Sequence, residues 1–243
     1  MKSVLRTLEI VKLVSDHQPI ALNELTKMLD IPKSTIQRTL VTLKDAGWLQ
    51  NSSPTSTKWE ISHKILEIRP LALRGGRLST AAQQPMTELR DATNETIHLC
   101  VPSGDEGTVL IARVDCDQPV RTYNPLGEVS PYATTATGKS MLAYFPGQKV
   151  SQILEATPPW QFERAHTNRD QVAEQLEQVR KHGYALNMRE YRPGVCAVAA
   201  PIFDETGQPL ASICISMPEV RFDESRVEEW AMLAKRAASL IGR

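Results

Sequence analysis

Apolar residues recur along this chain first at helical spacing alone, then at mixed helical and alternating spacing, and the change falls near residue 80. In the front part, Ser3–Ser15 predicts a helix, with Val4, Leu5, Leu8 and Val11 as its apolar side and Ser3 as a cap. Asn23 predicts the cap of a second, short helix over Glu24–Leu29, with Leu22 and Leu25 turned inward. Asp30-Ile31 forms the turn. Pro32, whose fixed φ and missing N–H cost nothing in a first turn, starts a third helix. Its apolar face is Ile36, Leu40 and Leu43 at i, i+4, i+7, with Val41 beside them, and Gly47 supplies a left-handed stop. Two short strand-like pieces follow, Trp48–Asn51 and Lys58–Ile61, joined by a polar loop. Lys64–Arg74 predicts a connecting helix with Ile65, Leu66, Ile68, Leu71 and Leu73, kinked by Pro70 and closed by Gly75-Gly76.

Beyond residue 80 the pattern predicts helix over Ala81–Thr93, with Met86, Leu89 and Ala92 inward, then strands at Thr96–Val101, Thr108–Val114 and Val120–Tyr123. A Pro- and Gly-punctuated loop leads into a helix from about Thr137 to Tyr144, and Val150–Glu155 is a brief helix before a loop, TPPWQF. Asp170–His182 is a further helix, closed by Gly183. Tyr184–Glu190, Val195–Phe203 and Leu210–Met217 alternate as strands, and Ser225–Ile241 ends as an amphipathic helix. Strands joined mostly by hairpins and mixed with helices predict an α+β fold, an antiparallel sheet with helices on its faces. The expected division is residues 1–62, a connecting helix over 63–79, and residues 80–243.

Three helices and a two-stranded ribbon within about sixty residues make a winged helix-turn-helix. A small helical protein-interaction domain would share that outline. The polar face of the third helix separates the two: Lys33, Ser34, Thr35, Gln37, Arg38 and Thr42 lie mostly off its apolar side, and Lys58 sits on the ribbon. Hydroxyls, amides and guanidinium groups at such spacing suit base edges and phosphates of duplex DNA. Charge agrees. Although the net charge is zero, residues 1–77 hold 12 Lys/Arg against 7 Asp/Glu, and the remainder 16 against 21.

Chemistry in the second part is sparse. Cys100, Cys116, Cys196 and Cys214 form no C-x-x-C pair and have no His at metal spacing, so they read as reduced thiols with no metal or other cofactor. A thiol nucleophile at Cys196 with His98 or His182 as base lacks a third orienting group, and the alternating run around Cys196 makes it a packing residue. His98 shares a strand face with Thr96 and Cys100 and reads as a pocket-rim or core histidine. No stretch approaches the roughly 20 apolar residues of a membrane span, and no signal-peptide run opens the chain, so a cytoplasmic location is expected.

The segments IPKSTIQRTLVTLKDAGWL, ETIHLCV at Glu95–Val101, TATGKSMLAY at Thr135–Tyr144 and HGYALNMREYRPGVCAVAAPIFDETGQPLASICISMP at His182–Pro218 together resemble the IclR family of bacterial transcriptional regulators over almost the whole chain. The resemblance implies a winged head, a linker helix and a GAF-like effector domain, assembled either as dimers or as tetramers made of two dimers. It implies no catalysis: operator DNA binds the head and a small-molecule effector the body. By the same resemblance, Thr135, Ala136, Thr137 and Gly138 form the effector loop, while Asn187, Ala197, Cys214 and Ser216 lie on strands lining the pocket. Read physically, that loop opens a helix with free N–H groups and hydroxyls, which suits a carboxylate or phosphate. No arginine falls among these matched positions, so loop amides are expected to carry the recognition of an acid. The chain departs from the family pattern at Ile61-Ser62, usually Leu-Gly, at Ala133, often His, and at Asn187, an acid in some members.

Overall fold

The computed structural model describes residues 2–67 and 77–242. The chain divides into two compact units, Met1–Arg74 and Gly75–Arg243. From residue 68 onward the expected connecting helix lies outside the described residues. Its start is visible as a helical turn at residues 65–67.

The first unit runs α1 (Lys2–His17), β1 (Ile20–Ala21), α2 (Leu22–Met28), α3 (Lys33–Asp45), β2 (Leu49–Asn51) and β3 (Lys58–Ile61). Its three strands are antiparallel in the order β1-β3-β2. Strand β1, which the sequence reading omitted, pairs Ile20 with Trp59 and so seats a buried indole beneath the ribbon. Ile36 and Leu40 of α3 are fully buried with Leu25, Ile10 and Val14. Helix α3 begins one residue after Pro32, which is its cap, and ends in a Schellman arrangement. There Gly47 takes φ +83°, its N–H bonds the Lys44 carbonyl, and the Trp48 N–H bonds that of Leu43, both at 2.8 Å. The Ser62 hydroxyl donates to the Gly47 carbonyl and accepts the Lys64 N–H at 3.1 Å.

Three local expectations need correction. Helix α1 carries two apolar stripes, and the one packed within the unit is Ile10 and Val14, not Val4, Leu5 and Leu8, which stay 60–64% exposed. Glu24, rather than Asn23, caps α2 by accepting the Ala21 N–H at 2.8 Å. Val41 of α3 points outward.

The second unit runs α4 (Arg77–Thr93), β4 (Thr96–Ser103), β5 (Gly107–Val114), β6 (Val129–Ser130), α5 (Ala136–Leu142), α6 (Gly147–Ala156), α7 (Pro159–Arg164), α8 (Arg169–His182), β7 (Ala185–Met188), β8 (Val195–Phe203), β9 (Pro209–Pro218) and α9 (Val227–Ile241). Residues 77–79, expected in the connecting helix, already belong to α4, where Leu78 packs on the core. Ala92 is exposed, and Ala82 and Pro85 are buried in its place. Of the segment TPPWQF, Pro159–Phe162 are helical in α7, with Phe162 buried. No strand forms at Val120–Tyr123, where both ends are largely exposed, and β6 supplies the edge instead.

All strand pairs in the six-stranded sheet are antiparallel, in the order β6-β5-β4-β9-β8-β7. Alternation then sorts the side chains between two faces. Ile97 and Leu99 of β4, Val198, Ala200 and Ile202 of β8, and Ile213, Ile215 and Met217 of β9 meet α4 and α9 in the main core. Their neighbours Thr96, His98, Cys100, Ala197, Ala199, Ser212, Cys214 and Ser216 face the other way, and Ala197, Ala199 and Cys214 pack with Ala136 of α5. No helix among the described residues is long and apolar enough to cross a membrane.

Candidate functional site

Helix α5 is buried at every one of its seven residues. It fits because the strands under it carry Ala, Ser and Cys, and because Gly138 lies against the preceding loop: a Cβ there would meet the Tyr132 backbone at 2.4 Å. Thr135 caps the helix, its Oγ1 donating to the Pro131 carbonyl at 2.7 Å and accepting the Gly138 N–H at 3.0 Å. The Thr135 and Thr137 hydroxyls stand 3.4 Å apart, and Thr137 reaches Thr108 at 3.3 Å. First-turn amides of Ala136 and Thr137 have no carbonyl partner within the helix.

Between this turn and the strands lies a cavity of about 60 Å³, lined by His98, Cys100, Leu110, Asn124, Ser130, Thr135, Ala136, Thr137, Asn187, Tyr191, Arg192, Val195, Ala197, Cys214 and Ser216. Seven of the eight residues assigned to the effector site are therefore brought together. Gly138 is the exception: it is packed on Tyr132, and its N–H is taken by Thr135. Asn187 points its amide at the Thr134 carbonyl, donating at 2.6 Å, and so fastens β7 to the loop.

Eight of the fifteen lining residues were not among those assigned to the site from sequence, Arg192 and Asn124 among them. Arg192, from the segment between β7 and β8, lies outside the positions matched to the family pocket and lines the cavity beside the loop amides. Asn124 comes from the loop before β6. Neither segment has periodicity, so no pattern assigned a direction to its side chains. Glu190, given no role from sequence, accepts from the buried Lys139 Nζ at 2.7 and 2.8 Å, with Gln175 taking the same ammonium at 2.9 Å. Burial pulls the Lys139 pKa down, and the Glu190 carboxylate opposes that pull.

The cavity's electrostatics follow from burial. His98 is driven down to about 4, by desolvation first and then by the Arg113 and Arg192 guanidinium groups, with Asp115 acting the other way. Its imidazole is neutral at physiological pH, and Nε2 is buried without a hydrogen-bond partner among the described residues. Cys100 is pushed up to about 12, and Cys214 well above its ordinary value, both mainly by desolvation. These thiols are protonated and unsuited to nucleophilic attack. Cys196 lies in the main core, on the face opposite His98.

On the first unit, Lys33, Ser34, Gln37, Arg38 and Thr42 are exposed along α3, and Lys58 is exposed on β3. Thr35 is half-buried, and its carbonyl accepts the Thr39 hydroxyl at 2.9 Å. The Thr42 hydroxyl donates to the Arg38 carbonyl at 2.9 Å, which leaves its oxygen free only to accept.

The family profile described as bacterial transcriptional regulator IclR C-terminal matches residues 71–243, and that of the IclR helix-turn-helix domain matches residues 3–53. The chain is 33% identical to the HTH-type transcriptional regulator KdgR of Escherichia coli, over 99% of this chain and 91% of that protein. It is 27% identical to the transcriptional repressor IclR of the same organism, over 99% and 89%. Among solved structures, the Thermotoga maritima IclR crystal structure superposes with a TM-score of 0.68 at 26% identity, covering 100% of this chain and 98% of that one.

His98 provides a stability test. Its folded pKa is lowered, so the unfolded chain binds the extra proton as pH falls below about 6.5, and stability contributed above that pH is lost down to about 4. His98→Gln should flatten the pH dependence of unfolding free energy in this window by up to ~1.4 kcal/mol per pH unit. Urea titrations of both proteins at several pH values check it, and identical slopes would show that His98 is not held neutral.

Proposed function

Since the chain belongs to the IclR family of bacterial transcriptional regulators, with a helix-turn-helix DNA-binding domain and a C-terminal effector domain, we propose that α3 reads operator DNA and that the Thr135–Thr137 cavity takes a small organic acid. The relatives are transcriptional regulators rather than enzymes. The protonated cysteines are in keeping with that.

The observation that carries the ligand assignment is the cavity itself. It gathers hydroxyls, two first-turn amides and an unpaired neutral histidine nitrogen against an apolar wall of Ala197, Cys214 and Leu110. A few convergent polar groups in an apolar hollow are what a ligand site needs. An acid is favoured because Arg192 lines the cavity and Arg113 acts on the same histidine. The cavity volume of about 60 Å³ suits a small ligand. A thermal-shift screen of small organic and aromatic acids, followed by gel shifts with any hit, tests the reading. Ser216→Val should weaken a hit by about 0.5–1.5 kcal/mol by calorimetry, the worth of one lost hydrogen bond. A hit bound equally well by an Ala136→Pro variant would place the ligand elsewhere.

For DNA, a helix presenting Lys33, Ser34, Gln37, Arg38 and Thr42 from its first turns supports major-groove entry, with Thr35 buttressing it and Lys58 at a phosphate. Arg38→Ala should cost about 1–3 kcal/mol of operator affinity and relax specificity at one position. Lys58→Ala should weaken all sequences alike and reduce the salt dependence. Full operator affinity in a folded Arg38→Ala protein would remove α3 from the interface.

The protein acts as at least a homodimer, and a pair of dimers would form the tetramer. Val4, Leu5 and Leu8 form an exposed apolar stripe on α1, and Ile65 and Leu66 are exposed at the start of the connecting segment. A palindromic operator would also need two heads. Light scattering at micromolar concentration should give a multiple of 27.1 kDa. A monomer that still binds its operator tightly contradicts this.

A further inference from the structure

Three of the residues lining the cavity converge on one carboxylate that does not itself line it. Arg192 Nη2 donates to Glu128 Oε1. The Tyr191 hydroxyl reaches the same oxygen at 3.4 Å, and Asn124 Nδ2 donates to Oε2 at 2.9 Å. Glu128 stands just before β6, so the contact ties the 124–128 loop to the segment between β7 and β8. Two residues earlier, Glu190 is fixed by Lys139 of α5, which anchors the backbone that delivers Tyr191 and Arg192 to the cavity. The other nearby guanidinium, Arg113, is engaged by Asp115 at 3.2 Å and stacks on Tyr123 at 4.2 Å.

A guanidinium flanked by an amide and a phenol is a carboxylate-binding arrangement, and here an internal carboxylate fills it. We propose that Arg192 sets the charge class of the cavity's ligand, and that Glu128 holds its guanidinium until the carboxylate of an acidic ligand displaces it. This rests on the reading of the cavity as the ligand site. The exchange leaves Arg192 paired throughout, so no cation is stranded in a partly desolvated site. The Glu128 side chain is 17% exposed and that of Arg192 37%, so the released carboxylate has a route to water. Competition by a tethered group lowers the apparent affinity for acids, because only the fraction of molecules with Arg192 free can accept one. It also gives the ligand a mechanical consequence, since displacement unties the 124–128 loop from the segment carrying Arg192.

The test compares acetate, propionate and butyrate with acetamide, propionamide and butyramide, titrated by NMR into the full chain as wild type, Glu128→Gln and Arg192→Gln. Glu128→Gln should bind the acids about 2–5-fold more tightly than wild type, with the amides unchanged. Arg192→Gln should lose the preference for acid over amide while still binding the amides, which also reports an intact cavity. Equal or weaker acid binding by Glu128→Gln overturns the displacement and leaves the cavity standing as the site. An acid preference retained in Arg192→Gln overturns the role of Arg192. Binding of no acid by either wild type or Glu128→Gln overturns both this proposal and the assignment of the cavity.

Discussion

Helix α5 can lie flat on the sheet only because the strands beneath it carry small side chains. Ala197 and Ala199 on β8, and Ser212, Cys214 and Ser216 on β9, leave room that Val or Leu would fill. The helix in turn gives up side-chain bulk at Gly138 to approach the Tyr132 backbone. Close packing leaves few voids in a protein interior, so the residual hollow at the helix start is a feature of this arrangement, not slack. Its dimensions depend on both partners. A larger residue at Ala197 would close the cavity, and a Cβ at Gly138 would lift the helix that roofs it.

Burying α5 entirely also buries Lys139, which is only 2% exposed. An ammonium so placed needs a counter-charge, since an unpaired buried charge costs several kcal/mol. Glu190 supplies it from the far end of β7. The ion pair does more than neutralise: it fixes the irregular segment that follows β7 against α5 and so determines where Tyr191 and Arg192 stand. The small-residue floor, the buried helix, the ion pair and the cationic side of the cavity form one chain of dependence. The neutral state of His98 belongs to it as well, because burial and the adjacent guanidinium groups both disfavour its protonation.

The first unit answers to a different constraint. Its core is small, built on Ile36, Leu40, Leu25, Ile10, Val14 and Trp59, and its polar residues are kept outside. Burial of one face of α3 fixes which residues it can offer to a partner, since a helix with i, i+4 anchors inside must show the intervening positions. Arg38 and Gln37 are exposed for that reason. The same logic leaves the second apolar stripe of α1 unsatisfied within the unit, where it is available to a second copy.

The α+β class, the winged head, the antiparallel pairing of β8 with β9 and most helices were legible in the sequence, because periods of 3.6 and 2 record which face is buried. Strand β8 matched its expected span of Val195–Phe203, and Gly47 and Gly183 stopped their helices where a left-handed residue was needed. That Asn187, Ala197, Cys214 and Ser216 would share one side of the sheet was legible for the same reason, once the family motifs marked the strands that carry them. Strand β1, too short for any period to register, was not legible, and neither was the choice between the two stripes of α1. Nor could sequence locate Arg192, Asn124 or Glu128, or pair Lys139 with Glu190, 51 positions away. Apart from Lys139 on α5, these residues sit on loops, where side-chain direction follows no repeat and is set by the elements packed around them. Periodicity determined which faces are buried; only the tertiary structure decided which charges meet.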